Sequence, residues 1–388
     1  MSAKTRVAAL IVAVELVFCV RLLRNISHKS FILQVSDFHG MWSYGLTVLQ
    51  HRIDTIYDPA VMLAFQSNLA PTMQGFLPCF YPPPALLLFA PLGLLREGAA
   101  ALVWATLGLT LFTLSTWDPR RRKLCWMALL LPTTVLSATF GQTGLLASAA
   151  LLSGLRLVPS RPVLGGMLLG LLAMKPQFGM LLPVALLAAG QGRAFVAAAL
   201  SGASVVALSL LTFGVAPWIA WVHALPIAER QWHTDAHTLL TWSPTPTASL
   251  AALDTPWPLI HVVQVIVAAI AALAVWVACR SGLDRRAIAV VCTTFFLATP
   301  HGFAYDMPAT AAALLLLGAE RLPTPRQFFP MLFVELMPVW QVACKVPLAG
   351  PLVMAVLLCS LMAPELGGAW RAVRRRSPLF AGVSGLRA

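Results

Sequence analysis

Long apolar runs, separated by short polar or basic stretches, constrain this chain more than any other feature of its sequence. The runs at 99–117, 194–213 and 259–279 each approach the roughly 20 apolar residues that a helix needs to cross a bilayer. Only 11% of the 388 residues are charged, against roughly 25% in a soluble domain. The sequence therefore predicts an all-α protein, a polytopic bundle of membrane helices that forms a single domain over residues 1–388.

Clusters of lysine and arginine between the apolar runs predict which helix ends face the cytoplasm. These clusters lie at Lys4 and Arg6 before an uncleaved first helix at 7–23, and later at 120–123, 280–286 and 371–376. Placing them all inside gives about twelve crossings, among them the shorter runs at 124–139 and 328–342, provided that the short apolar run 81–95 is re-entrant. Residues 24–80 and 214–258 then form two large outer loops. The formal net charge of +13 comes from these clusters, so we attribute it to cytoplasmic loops and not to nucleic-acid binding.

The first outer loop concentrates acidic residues in a chain that has few of them. The window 36–59 holds three of the 14 acidic side chains, Asp37, Asp54 and Asp58. Ser36 can cap one short helix, and Asp58-Pro59 supplies an N-cap followed by proline at the first position of a second. The second helix then places apolar residues on one side, at Val61, Phe65 and Leu69. We expect two short amphipathic helices on the outer membrane surface.

Polar residues that interrupt the apolar runs fall on one side of the membrane in this topology. Such residues are costly at membrane depth and are candidates for function. Their common level predicts one outward-facing cavity, lined by Asp37, Tyr81, Gln142, Lys175, Gln177, and residues 301–306.

Three side chains in this set suit group transfer. A carboxylate at Asp37 can take a proton from an attacking hydroxyl, although a solvated loop residue or helix cap is the alternative. Lys175 can hold a phosphate, or it can be an interfacial lysine whose ammonium reaches water. His301 can donate to a phosphate oxygen, and Tyr305 can hydrogen-bond a sugar, unless both are ordinary interfacial polar residues.

Other chemistries find little support in the sequence. His233, Asp235 and His237 alternate along a polar stretch, but two histidines and a carboxylate there are weak evidence for a metal site. The motifs of serine hydrolases, P-loop nucleotide-binding proteins and zinc proteases do not occur. We therefore predict neither a metal nor another cofactor.

A series of short motifs resembles glycosyltransferase family 87. Asp37-Phe38 and a turn at Ile56-Tyr57-Asp58-Pro59 begin the series, and Phe80-Tyr81-Pro82-Pro83 with 89–92 is its most distinctive part. It continues, in order, through Gly141-Gln142, 165–170, Lys175-Pro176-Gln177 and Thr299-Pro300-His301. The resemblance covers 37–306. The chain departs from the pattern at His51-Arg52 and in a third proline after Tyr81.

The resemblance implies a glycosyltransferase C-type membrane fold and a polyprenyl-phosphate sugar donor. Members of the family transfer mannose, so it implies inverting transfer of a mannose-like hexose to a lipid or glycan hydroxyl at the non-cytoplasmic face of a bacterial-type plasma membrane. Asp37 matches the base position, and Lys175 and His301 match places expected to handle the donor phosphate. Candidate substrate contacts are Tyr81, Gln142, Gln177, Tyr305 and Arg52. The alternative is a transporter or flippase of a lipid-linked or polar solute.

Overall fold

A computed structural model describes residues 37–70, 77–119, 122–234, 242–317, 332–337 and 346–365, and these ranges contain helices and no strand. The predicted first helix at 7–23, most of the run at 328–342, and Asp235 and His237 lie outside them. The α-helices are α1 (Asp37–Leu49), α2 (Pro59–Leu69), α3 (Leu86–Phe89), α4 (Glu97–Thr116), α5 (Arg122–Leu130), α6 (Pro132–Phe140), α7 (Gly144–Leu157), α8 (Pro162–Gly170), α9 (Leu182–Ala188), α10 (Gly192–Phe213), α11 (Ala216–Thr234), α12 (Pro246–Ala251), α13 (Trp257–Cys279), α14 (Arg285–Ala298), α15 (Pro308–Leu317) and α16 (Ala349–Leu361). Short 3-10 turns lie at Ile53–Tyr57, Pro83–Ala85, Ala90–Leu94, Leu171–Met174, Pro176–Gly179 and Ala304–Asp306.

Three of these helices are long and apolar enough to cross a membrane. They are α4, α10 and α13, with 20, 22 and 23 residues, and at 1.5 Å per residue each reaches the roughly 30 Å of a hydrocarbon core. Large apolar side chains stay exposed along them, as expected of helices that face lipid. Shorter apolar helical stretches, counted together with their adjoining 3-10 turns, have 10–17 residues in the described part of the chain. For these residues the all-helical membrane architecture is confirmed, and the total of about twelve crossings stays a prediction.

One predicted segment differs from the structure. The apolar run at 124–139 is broken into α5 and α6, because Pro132 restricts Leu131 to an extended conformation and ends the preceding helix. The stretch 214–258 contains α11 and α12, and its assignment as an outer loop stays a prediction. The segment Pro83–Leu94 is helical but short, so its re-entrant course stays a prediction.

Arginine side chains gather at one end of α7, and the candidate functional side chains lie at its other end. At its C-terminal end Arg156 donates to the carbonyl oxygen of Trp117 at 2.9 Å, and Arg285 lies 3.9 Å from Asp118. At its N-terminal end lie Gln142 and the residues around it. The 14 residues of α7 separate the two ends by about 20 Å. This arrangement agrees with the single level predicted for the polar motifs.

The two helices predicted in the first outer loop are present as α1 and α2. Asp58 caps α2 by accepting hydrogen bonds from the backbone N–H groups of Ala60 and Val61. The residues of α2 buried inside the protein are Met62 and Gln66. The predicted apolar side at Val61, Phe65 and Leu69 is partly or largely exposed, and its placement on the membrane surface stays a prediction. Gln66 is buried because its amide both donates to and accepts from the Leu77 backbone, at 2.9 and 3.0 Å.

Helix α1 is packed inside the protein more than a helix on the membrane surface would be. Nine of its 13 residues are buried. Trp42 donates to the carbonyl oxygen of Leu95 at 3.0 Å, and Tyr44 donates to that of Leu77 at 2.7 Å. These contacts hold α1 against the backbone on both sides of the Pro83–Leu94 segment, and Asp37 therefore lies in the first turn of a packed helix.

Candidate active site

Asp37 opens α1 and is held by the amide of Gln142, which lies between α6 and α7. Gln142 Nε2 donates to Asp37 Oδ2 at 2.5 Å. The other atom of the same amide, Oε1, accepts from the Tyr81 hydroxyl at 2.8 Å. Three predicted site residues, far apart in sequence, are thus in direct contact.

A tight turn at Gly141 directs Gln142 toward Asp37. Gly141 ends α6 in the left-handed conformation, with φ of 64°, which glycine adopts without strain. A Cβ atom there would lie 2.6 Å from Phe38 Cβ, so a larger residue would push α1 away. Trp104 of α4 donates its indole N–H to the Gly141 carbonyl oxygen at 2.8 Å and fixes the turn from the other side.

Lys175 lies between two 3-10 turns, where Pro176 prevents a continuous helix. Its side chain is buried and its ammonium has a carboxylate partner, Asp306, with Nζ 2.5 Å from Oδ1. A second hydrogen bond runs from Nζ to Thr143 Oγ1 at 3.1 Å. The sequence had indicated Lys175 as a cation for substrate phosphate, whereas the structure gives its charge a fixed counter-ion.

Thr143 joins the Lys175–Asp306 pair to the residues around Asp37. Its Oγ1 lies 2.9 Å from the Tyr81 hydroxyl oxygen. The contacts therefore form one continuous chain of hydrogen bonds, which we call the site chain: Asp306, Lys175, Thr143, Tyr81, Gln142 and Asp37. Asp306 was predicted as part of the stretch 301–306 that lines the cavity, but without a role of its own. Thr143 was not predicted, and its position next to Gln142 is the only sequence signal for it.

Aromatic rings flank the site chain on the side of Tyr305. The Tyr305 ring lies 5.7 Å from Lys175 Nζ and stacks on Phe303 with centroids 5.0 Å apart. The ring centroid of Phe140 lies 6.1 Å from that of Tyr305 and 5.3 Å from that of Trp242. All four rings are partly exposed. They form an apolar wall beside the polar groups, as is common in small-molecule sites.

The surroundings of Asp37 shift its acidity toward neutral pH. The side chain is partly exposed, yet it is withdrawn from water enough that desolvation raises its pKa to about 6, with a smaller rise from the Asp306 charge. The Gln142 hydrogen bond and the Lys175 charge oppose this rise. Asp37 lies outside the three candidate membrane spans α4, α10 and α13. A carboxyl with this pKa is largely ionised at neutral pH and remains a useful base.

The other predicted residues lie outside the site chain. His301 is exposed on the loop after α14, where its backbone bonds with Thr299, and the charge of Glu229 acts on it. Gln177 is partly exposed in the turn after Lys175. Arg52 is exposed beyond the far end of α1, about 20 Å along the helix from Asp37. Among the described residues, no group of three or more His, Cys, Asp or Glu side chains is placed to hold a metal ion.

Comparison with known proteins identifies the family of the chain. The sequence model of glycosyltransferase family 87 matches residues 80–300, more than half of the 388 residues. The matched range includes Tyr81, Gln142, Lys175 and Gln177. It is shorter than the predicted resemblance over 37–306 and leaves out Asp37, Arg52, His301 and Tyr305. No curated protein and no solved structure matches the chain. The chain belongs to glycosyltransferase family 87, which makes it a membrane glycosyltransferase.

Proposed function

We propose that this protein transfers a mannose-like hexose from a polyprenyl-phosphate donor to a hydroxyl of a lipid or glycan acceptor. The reaction takes place at the non-cytoplasmic face of a bacterial-type plasma membrane, and Asp37 is the general base. The observation that carries the proposal is the position of the Asp37 carboxylate. It is partly exposed and accepts a hydrogen bond from Gln142. It also lies at the end of α7 opposite Arg156 and Arg285.

The chemistry needs one base and a stabilised leaving group. Asp37 takes the proton of the acceptor hydroxyl as its oxygen attacks the anomeric carbon. The bond from that carbon to the phosphate oxygen breaks, and the electron pair leaves with polyprenyl phosphate. Attack opposite the leaving group inverts the configuration, so a β-linked donor gives an α-linked product. Because Gln142 Nε2 donates a hydrogen bond to Asp37 Oδ2, we assign Oδ1 as the atom that takes the proton from the sugar-accepting hydroxyl.

We assign the donor phosphate to the neighbourhood of Lys175 and His301. An ammonium has three hydrogens, and Asp306 and Thr143 take two of those on Lys175. The third can bind a phosphate oxygen, and His301 can supply a second donor. The leaving phosphate is stable by itself, so no general acid is required.

Substrate contacts are assigned to polar and aromatic groups around this region. Tyr81, Gln142 and Gln177 lie next to members of the site chain or within it, and Tyr305 presents a partly exposed ring. We place the sugar against the aromatic wall. Arg52 is the most distant candidate, and an interaction with lipid headgroups or with an extended acceptor suits its exposed position.

The donor is testable with a panel of radiolabelled polyprenyl-phosphate hexoses, supplied to membranes that contain the protein and to matched membranes that lack it. We expect label from one donor, mannose or a close relative, to appear in an extractable lipid or glycan. The anomeric configuration of the product is expected to be inverted. Transfer from nucleotide sugars alone would contradict the proposed donor class. Donor movement across the bilayer without a glycosylated product would favour the flippase alternative.

The rate is expected to fall about tenfold between pH 7 and pH 5, since a base with a pKa of about 6 is roughly nine-tenths ionised at the first pH and one-tenth at the second. The sign follows from the role of Asp37, because only the ionised carboxylate can accept the acceptor proton. The measurement is the initial rate at saturating donor across this range, with thermal unfolding recorded at each pH as a control. A flat profile in a protein that remains folded would contradict the assignment.

A further inference from the structure

We propose that Asp306 is a positioning residue, which together with Lys175 forms a charge-balanced pair that holds Thr143 in the site chain and thereby orients Asp37. The proposal rests on the proposed role of Asp37 as base. It gives Asp306 a function in the transfer reaction without contact with the reacting atoms.

The burial of the pair is the first argument for this role. Lys175 and Asp306 are only 5% and 1% exposed, and a buried charge is tolerated when an opposite charge and hydrogen bonds compensate for it. Asp306 meets this requirement with Oδ1 on Lys175 and Oδ2 on the Phe303 backbone N–H at 3.3 Å. Removing either partner leaves the other charge uncompensated beside the site.

The direction of the hydrogen bonds is the second argument. Lys175 can only donate, so Thr143 Oγ1 accepts from it and keeps its own proton for another acceptor. Tyr81 donates its proton to Gln142 Oε1, and its oxygen is therefore the atom that accepts from Thr143. Gln142 in turn donates to Asp37. Every bond from the ammonium to the carboxylate points the same way.

The ammonium holds the Thr143 hydroxyl in this arrangement. Without it, Thr143 Oγ1 loses a donor, and the hydroxyl can rotate away from the Tyr81 oxygen and break the site chain. Asp306 keeps the ammonium in place and balances its charge. Hydrogen bonds aligned in one direction polarise one another, so the effect reaches Asp37 through several residues.

The charges near Asp37 support a measurable consequence. Lys175 lowers the pKa of Asp37 and Asp306 raises it. The phenols of Tyr44, Tyr81 and Tyr305 also face this region, and burial raises their pKa far enough that they stay neutral. On α1 itself, His39 pairs with Glu97 at 2.8 Å. Removing one charge of the Lys175–Asp306 pair therefore changes the pKa of Asp37 in a known direction.

The test compares pH–rate profiles of Asp306→Asn, Lys175→Met and the double variant with the parent protein. We expect Asp306→Asn to move the midpoint of the profile to lower pH and Lys175→Met to move it to higher pH, each by about one unit. The double variant restores charge balance and is expected to return the midpoint toward that of the parent. Three unmoved midpoints, or shifts in the same direction, would overturn the proposal, because a purely structural role lowers the rate without moving them.

A neutral variant and a second readout keep the test decisive. Thr143→Val interrupts the site chain without changing any charge or much volume, and we expect turnover to fall about tenfold or more with the KM for donor nearly unchanged. Unchanged turnover would refute the role of the site chain.

Infrared titration of the Asp37 carboxyl in the same charge variants is a second readout, and it needs no sugar donor. The Asp37 band is the one that is absent in Asp37→Asn. Opposite infrared shifts without sugar transfer would refute the proposed function, while still showing that the Lys175–Asp306 pair acts on the Asp37 carboxyl.

Discussion

Asp37→Asn is expected to lower the rate of sugar transfer by at least about 100-fold, because general-base catalysis contributes roughly 10²–10⁴ to such reactions. An amide has no basic lone pair to take the acceptor proton. Its carbonyl oxygen can still accept from Gln142, so the hydrogen bond at Asp37 Oδ2 and the fold are expected to survive. The measurement is transfer from the preferred donor in detergent or vesicles, normalised to folded protein.

The matched control for this variant is Asp54→Asn. Asp54 belongs to the same outer loop but is exposed on the 3-10 turn Ile53–Tyr57, and exposed substitutions usually change stability by less than about 0.5 kcal/mol. We expect its transfer rate to equal that of the parent. An active Asp37→Asn protein would remove Asp37 from the mechanism, whatever the behaviour of Asp54→Asn.

Gly144→Ala is expected to inactivate the protein by displacing the site and not by changing its chemistry. Gly144 begins α7 directly after Gln142 and Thr143, and an added Cβ would lie 2.1 Å from the Tyr305 carbonyl oxygen. Overpacking of this kind typically costs about 1–3 kcal/mol, and relief requires α7 to move away from the Ala304–Asp306 turn. We expect a lower unfolding temperature together with a loss of transfer of about 100-fold.

Gly98→Ala provides the comparison at a glycine with space around it. No atom lies within 4 Å of a Cβ built at Gly98 in the first turn of α4, so activity and unfolding temperature are expected to match the parent. Equal activity of both alanine variants would show that the close approach of α7 to Tyr305 is not needed for the reaction.

Local sequence rules accounted for the helices and for several of their ends. Asp58-Pro59 predicted the start of α2, and the structure has the N-cap in that position. Proline also explains the break between α5 and α6. The burial of Gln66 in α2, through hydrogen bonds to the Leu77 backbone, was not indicated by the sequence. Apolar spacing along one helix carries no information about such a partner.

The sequence by itself determined the membrane class, the helical architecture and the residues with suitable chemistry, because hydrophobicity and charge act locally along the chain. Only the tertiary structure decided which of these residues meet. Gln142 lies 105 residues from Asp37, and Lys175 lies 131 residues from the Asp306 that balances its charge. Contacts over such separations depend on how whole helices pack. A lysine that reads as a lone phosphate-binding cation in the sequence is therefore, in the fold, one half of a buried ion pair.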